Sequence, residues 1–297
     1  MPGDVVVWRN TRAVLEKYGL QPKKSLGQNF LIDRNIRDKI VDAAAITGDD
    51  VVLEIGPGVG TLTEELARRA SRVIAVELDG ALVQVLRDRL PPDRVLVVEG
   101  DVLALDLPSL LGEASPIKVV ANLPYYITSP IVFRFLEWKG WEMMVIMVQG
   151  EVAERLVARP GTKAYGALSV AVALQARAEI LFKVSRQVFY PKPQVDSAVV
   201  RLLPRHDLGV DLQGPSLLIR AAFGQRRKTL ANALAAAPWN PLSKEETEKF
   251  LLGAGIDPSR RGESLTPEEF LSLWMEFQRV GKIQDVAGRN GDEGEGM

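Results

Sequence analysis

The 297-residue chain contains no cysteine and one histidine, His206, which excludes a disulfide framework, a thiolate metal site and a histidine cluster. A cysteine-free chain is compatible with a reducing cytoplasm. No uninterrupted apolar run of about 18 residues is present to cross a bilayer. The opening MPGDVVVWRNTR also lacks the basic-then-apolar order of a secretory signal, so the expectation is a cytoplasmic chain with no membrane span. Net charge is nearly absent as well. The 37 Lys and Arg balance 38 Asp and Glu, so bulk charge points to no nucleic-acid or membrane partner, and any partner must be read from where the charges lie. No internal repeat is visible.

What is present is ordinary globular material. With 46% hydrophobic and 25% charged residues the chain can bury a full core, and its length suits one large domain plus a smaller one. Between residues 33 and 184, short β-branched runs alternate with amphipathic helical stretches, the pattern of a parallel sheet with crossover helices. The predicted strands are VVLEI (51–55), RVIAVEL (72–78), RVLVVE (94–99), KVVAN (118–122) and MMVIMVQ (143–149). Each is almost continuously apolar, as strands buried on both faces are. TEELARRA, ALVQVLRDRL, SPIVFRFLEW and EVAERLVAR read as the helices between and after them. AEILFKVS and SAVVRLLP read as a hairpin across FYPKPQVD, giving the sheet an antiparallel edge.

After Pro204 the pattern turns wholly helical: SLLIRAAFGQRRKTLANALAAA, KEETEKFLLGAG and TPEEFLSLWMEFQRV. The last has Thr266 as N-cap, Pro267 at its first position, acids in the first turn, and Phe270, Leu273, Trp274 and Phe277 on one stripe. These signals divide the chain into an α/β domain over 1–207, a helical domain over 208–281 and a disordered, Gly-rich acidic tail over 282–297. Two helices flanking KKSLGQNFLID form an N-terminal helical lid over 9–45.

Three features fall at the carboxyl ends of successive strands, where parallel sheets bind ligands. Gly56, Gly58 and Gly60 separate a strand from a helix, either as a plain tight turn or as a loop that brings backbone N–H groups close to a ligand. Their G-x-G-x-G spacing is one residue short of the dinucleotide pattern and favours a ligand without a pyrophosphate. Glu77, 21 residues beyond Gly56, suits ribose hydroxyls, and Asp101, one strand further on, suits an adenine amine. Together they indicate an adenosine-bearing cofactor.

The fourth strand delivers Asn122-Leu123-Pro124-Tyr125 to the same edge. The lone pair of an aromatic amine is delocalised into its ring. A side-chain amide oxygen and a backbone carbonyl that accept the amine N–H bonds favour a pyramidal nitrogen able to attack a methyl donor. Tyr125 would stack on the ring.

NLPY is similar to the D/N-P-P-Y motif of S-adenosylmethionine-dependent amino-methyltransferases. The chain as a whole resembles the ribosomal RNA adenine N6,N6-dimethyltransferase family, closest to its small-subunit branch. The stretches that carry this are KKSLGQNFLID, EIGPGVGTLT, VIAVELD, EGDVL, ANLPYYITSPI, MVQGEVAERL, KAYGALSV, VFYPKPQVDSAVVRL and FGQRRKTLANAL, collinear over about residues 23–234. The resemblance implies a Rossmann-like, mostly parallel α/β sheet with a smaller all-α C-terminal domain. It implies a monomer that takes S-adenosyl-L-methionine as cofactor and uses no metal. Its partner would be ribosomal RNA of the small subunit or an assembly precursor, with two adjacent adenosines near the 3′ end as targets.

Carried over by residue, Gln28, Asn29 and Leu31 close over the cofactor from the N-terminal side, while Gly56 backs its methionine portion and Gly58 and Gly60 are further cofactor-binding positions. Glu77 and Leu78 lie at the ribose, Asp101 and Val102 at the cofactor adenine, and Asn122 at the target amine. Phe189 matches a second aromatic that would sandwich the flipped base with Tyr125; read by itself, it is a core aromatic at a strand end. Lys23, Lys24, Lys192, Arg226, Arg227 and Lys228 are the candidate RNA contacts, although charge runs of this kind are also ordinary solvated faces. Gly150, Gln194 and Ala231 stand where the family often has a basic residue at candidate RNA-facing sites. The competing readings are the large-subunit, antibiotic-resistance branch, a DNA adenine methyltransferase, an NAD-dependent oxidoreductase and a non-catalytic assembly factor.

Overall fold

A computed structural model describes residues 11–112, 116–205, 212–225 and 227–279. Arg226, the domain boundary around residues 206–211 and the tail over 282–297 lie outside the described residues. The chain separates into two compact units. One holds the described residues through Glu154 together with Ala176–Pro204, and the other holds Arg155–Gln175 and the described residues from Arg205 on.

The first unit begins with helix α1 (Thr11–Lys17), a two-residue strand β1 (Phe30–Leu31) and helix α2 (Arg34–Ala43). Strands and helices then alternate: β2 (Val51–Ile55), α3 (Thr63–Arg69), β3 (Arg72–Glu77), α4 (Gly80–Arg89), β4 (Val95–Glu99), α5 (Leu107–Leu111), β5 (Ile117–Asn122), α6 (Thr128–Trp138), β6 (Trp141–Gln149) and α7 (Gly150–Leu156). Later the chain adds β7 (Ala176–Val184), β8 (Phe189–Tyr190) and β9 (Ser197–Pro204). Seven strands form one sheet in the order β4-β3-β2-β5-β6-β9-β7. The first five pair in parallel, and β9 runs antiparallel to both β6 and β7, so the expected antiparallel edge is present.

This order reverses between β2 and β5. The chain first winds outward through β3 and β4, then returns to build β5 and β6 on the other side. Loops leaving β2 and β5 therefore diverge and open a crevice at their carboxyl ends. Helix starts along this edge are set by acids: Asp33 accepts from Ile36 N, Asp79 from Ala81 N and Asp106 from Ser109 N.

The second unit contains α8 (Ala167–Gln175), α9 (Gln213–Gly224), α10 (Leu230–Ala235), α11 (Lys244–Gly253) and α12 (Pro267–Arg279). Helix α12 starts as its sequence requires, with Glu269 N donating to Thr266 Oγ1 at 3.2 Å and Thr266 N donating to Glu269 Oε2 at 2.7 Å. Phe270, Leu273 and Phe277 are buried, while Trp274 stays half-buried over Gly214.

Three features depart from the sequence reading. The stretch SLLIRAAFGQRRKTLANALAAA is two helices, because Thr229 caps a new start at Leu230. The segment Arg155–Gln175 belongs with the helices and not with a domain running unbroken to residue 207. Tyr165 Oη donates to Leu265 O at 2.8 Å, and Gly161 N donates to Glu263 O at 2.8 Å, bonds that join residues about a hundred positions apart. Helix α8 is buried almost all round, so its sequence carries no 3.6-residue alternation to reveal it. Finally, β1 and β8 form a separate antiparallel pair, Phe30 opposite Tyr190 and Leu31 opposite Phe189.

Candidate active site

The crevice between the β2 and β5 loops is a cleft of about 970 Å³ including its open mouth. Five segments wall it: the strap over residues 26–31, the glycine loop after β2, Glu77 and Leu78 after β3, Asp101 and Val102 after β4, and residues 122–127 after β5. That size suits a nucleoside-sized ligand.

The glycine loop needs glycine for two different reasons. At Gly58, φ is +61° and an added Cβ would lie 2.9 Å from the Phe30 ring, so the loop could not pass beneath the strap with a side chain there. Gly58 N also donates to Glu77 Oε2 at 3.0 Å. At Gly60 φ is +90° and a Cβ would also lie 3.3 Å from Leu86 of α4; Gly60 is not among the residues that line the cleft.

Two acids stand on neighbouring strands. Glu77 is 7% exposed, and each of its oxygens accepts a backbone N–H, Oε1 from Asp79 at 2.9 Å and Oε2 from Gly58. Burial raises its pKa above the ordinary value, and those two amides offset part of the rise. Each oxygen keeps a further lone pair for a ligand hydroxyl. Glu54, on β2, is the residue the sequence reading missed. It is 1% exposed, lines the cleft, and its Oε2 has no hydrogen-bond partner among the described residues. Burial, helped by the neighbouring Glu77 charge and opposed by Thr63, pushes its pKa up to about 8. The signal was available: an acid inside VVLEI, a strand buried on both faces, demands a partner.

Asn122 closes β5. Its Nδ2 donates to the Asn29 carbonyl at 3.0 Å, which commits the amide nitrogen to the strap and leaves Oδ1 as the acceptor. Leu123 N is bound to Met147 O at 3.1 Å, and Thr128 Oγ1 donates to Pro124 O at 3.1 Å, so the turn that carries Asn122 is fixed on both sides. Tyr125 is half-buried on the cleft wall, its hydroxyl 2.8 Å from Ser197 Oγ. Tyr126 is 55% exposed at the lip, its ring against Gly27.

Residues 19–279 match the family model described as ribosomal RNA adenine dimethylase. The chain belongs to that family. Among members of the ribosomal RNA adenine dimethylase family, the Geobacillus kaustophilus protein named ribosomal RNA small subunit methyltransferase A is 49% identical over 284 residues, covering 91% of this chain and 96% of its own. A Plasmodium falciparum dimethyladenosine transferase superposes with a TM-score of 0.73 at 29% identity, covering 85% of this chain and 98% of its own. The 23S rRNA methyltransferase ErmE does so at 0.60 and 30%, covering 84% and 99%. The Rossmann-like methyltransferase fold expected from the sequence is thereby shared with its relatives.

Against this dimethylase background, the cleft gathers Gln28, Asn29, Leu31, Gly56, Gly58, Glu77, Leu78, Asp101, Val102 and Asn122 through Tyr125. Phe189 is not among them. It is 3% exposed within the apolar cluster that includes Leu31, Val184 and Val199, because its pairing with Leu31 turns it into the core. In this structure Phe189 packs as a core aromatic at a strand end, the second of the two readings its sequence offers. Ala231, placed at a candidate RNA-facing site, is buried inside the helical unit. Lys23, Lys24, Lys192, Arg227 and Lys228 are all exposed, and Lys23 also forms an ion pair with Asp79.

Proposed function

We propose that this dimethylase transfers methyl groups from S-adenosyl-L-methionine to N6 of two adjacent adenosines near the 3′ end of small-subunit ribosomal RNA. The product is N6,N6-dimethyladenosine, formed in the cytoplasm by a monomer acting on the subunit or its assembly precursor. The observation that carries the reading is the orientation of Asn122, whose Nδ2 is spent on Asn29 O and whose Oδ1 is left to accept from an amine.

The cleft fits that cofactor. Glu54, its carboxyl raised to about 8 by burial, would be drawn into its ionised form by a cationic group such as an amino acid ammonium, and Glu77 keeps acceptor capacity for ribose hydroxyls. Asp101, exposed at the end of β4, is the acceptor for an adenine amine. When bound, the cofactor supplies an electrophilic methyl on a sulfonium. The protein supplies position. Asn122 Oδ1 and the Leu123 carbonyl accept the two N6 hydrogens and draw the lone pair out of the adenine ring, and Tyr125 holds the ring by stacking. No general base is required before attack, because the proton is lost only once the nitrogen is cationic. The second transfer repeats the first with one hydrogen fewer to hold. Exposed Lys24 and Lys192 in one unit, and Arg227 and Lys228 in the other, offer contacts to phosphates.

The test is incubation of the purified protein with labelled S-adenosyl-L-methionine and, separately, immature small and large ribosomal subunits, followed by mass spectrometry of RNA fragments. Dimethyladenosine at two neighbouring positions of the small-subunit RNA is expected. Label confined to the large-subunit RNA would move the protein to the other branch, and no label in either would overturn the reading.

A further inference from the structure

Beside the cleft lies a cluster that the transfer chemistry does not use. Asp79 follows Glu77 by two residues and is 5% exposed. Its Oδ1 accepts from Lys23 Nζ at 2.8 Å and from Ala81 N at 3.1 Å, and its Oδ2 accepts from Gln28 Nε2 at 3.0 Å. Gln28 Oε1 in turn accepts from Lys23 N at 2.8 Å. Both ends of the short segment over residues 23–28 are thus tied to one carboxylate. Burial by itself would raise the Asp79 pKa, but the bonds from Lys23, Gln28 and Ala81 outweigh it and hold the group below its ordinary value, ionised at neutral pH.

The next residue of that segment is Asn29, whose side chain bonds to Gly27 O at 2.9 Å and whose carbonyl receives Asn122 Nδ2. On the other side, Asp79 N donates to Glu77 Oε1. A hydrogen-bonded series therefore runs from the ribose-side acid Glu77, through Asp79 and the strap, to the amide at the target amine.

We propose that Asp79 is a positioning residue for methyl transfer: with Lys23 and Gln28 it latches the strap so that the Asn29 carbonyl fixes the Asn122 amide with its oxygen toward the target. Lys23 then acts in the latch and not as an RNA contact. The inference rests on the function proposed above for Asn122. A loose strap leaves Asn122 free to turn its amide, and a misdirected donor costs rate much more than it costs binding of either substrate.

Asp79→Asn is the informative variant, because Asn still caps α4 while losing the charge and one acceptor. Lys23→Met attacks the latch from its exposed side and leaves the cap untouched. Each is expected to lower kcat roughly 10- to 100-fold with KM for RNA within about twofold. Each should also speed amide hydrogen exchange at Gly27 and Gln28, and the double variant should be no worse than the worse single one. If Lys23→Met raises KM for RNA with kcat intact, or if the two losses multiply in the double variant, the latch is refuted. Should wild-type protein methylate no ribosomal RNA, the function has failed and not the latch, which the exchange rates of the two variants still confirm or refute without catalysis.

Discussion

Strand β5 carries a polar side chain at each end. At its amino end Lys118 is nearly buried, and its Nζ meets Ala45 O and Asp50 Oδ2, each at 2.8 Å, with Glu142 Oε1 at 3.6 Å. Protein groups surround it. At the carboxyl end Asn122 has its donor side satisfied by Asn29 and its acceptor side open to a cleft. Buried polar groups must be paired or they cost stability. Where the fold supplies every partner the group is structural. Where it supplies some and withholds one, the vacancy is shaped for a ligand. Glu77 and Glu54 both fall on the open side of this contrast, Glu77 with one backbone amide on each oxygen and acceptor capacity left over, Glu54 with an oxygen unmatched among the described residues.

This contrast can be broken experimentally. The largest effect is expected from Asn122→Ala, which should cut methyl transfer roughly 100- to 1000-fold while calorimetry finds cofactor affinity changed by only a few-fold. Equal losses in both would make Asn122 a wall of the cofactor pocket. Lys118→Met at the other end should do the reverse. Denaturant unfolding should show a loss of about 2 kcal/mol, with turnover per folded molecule unchanged at a temperature where the variant is folded. Glu54→Gln sharpens the comparison through pH. A carboxyl raised from 4.5 to about 8 contributes stability that is fully present below pH 4.5 and lost as pH rises toward 8, since ionising the buried group then opposes folding. The ligand-free variant should therefore match wild type near pH 4 and melt several degrees above it at pH 8, a gap that thermal scans across that range will show. The smallest effect belongs to Tyr125→Phe, which keeps the stacking face and loses only the bond to Ser197. A drop of about 1 kcal/mol in stability is expected, with methyl transfer reduced less than about tenfold.

Much of the site was legible in the chain because its parts are local. Glycines after a strand, acids after the next two strands and NLPY after the fourth each announce themselves within a few residues, and the parallel topology then carries them all to one edge. What was not legible depends mostly, though not wholly, on where distant segments meet. Phe189 has two readings in the sequence, and only its pairing with the strap shows that it packs in the apolar cluster. Lys23 looked like a free charge, but its partner lies 56 residues away. Gly60 shares the loop of Gly56 and Gly58 and yet faces α4, because a turn points successive residues in different directions.

The amino-acid sequence by itself determined the parallel α/β class, its antiparallel edge, the helical C-terminal portion and the edge of the sheet at which the candidate site residues gather. Periodicity, capping and strand-to-helix order are properties of neighbouring residues. Only the tertiary structure decided that Arg155–Gln175 joins the distant helices, which acid keeps an oxygen without a partner among the described residues, and which way the Asn122 amide faces. Each of those outcomes depends on a hydrogen bond or its absence between segments far apart in the chain, and no local pattern encodes where such segments meet.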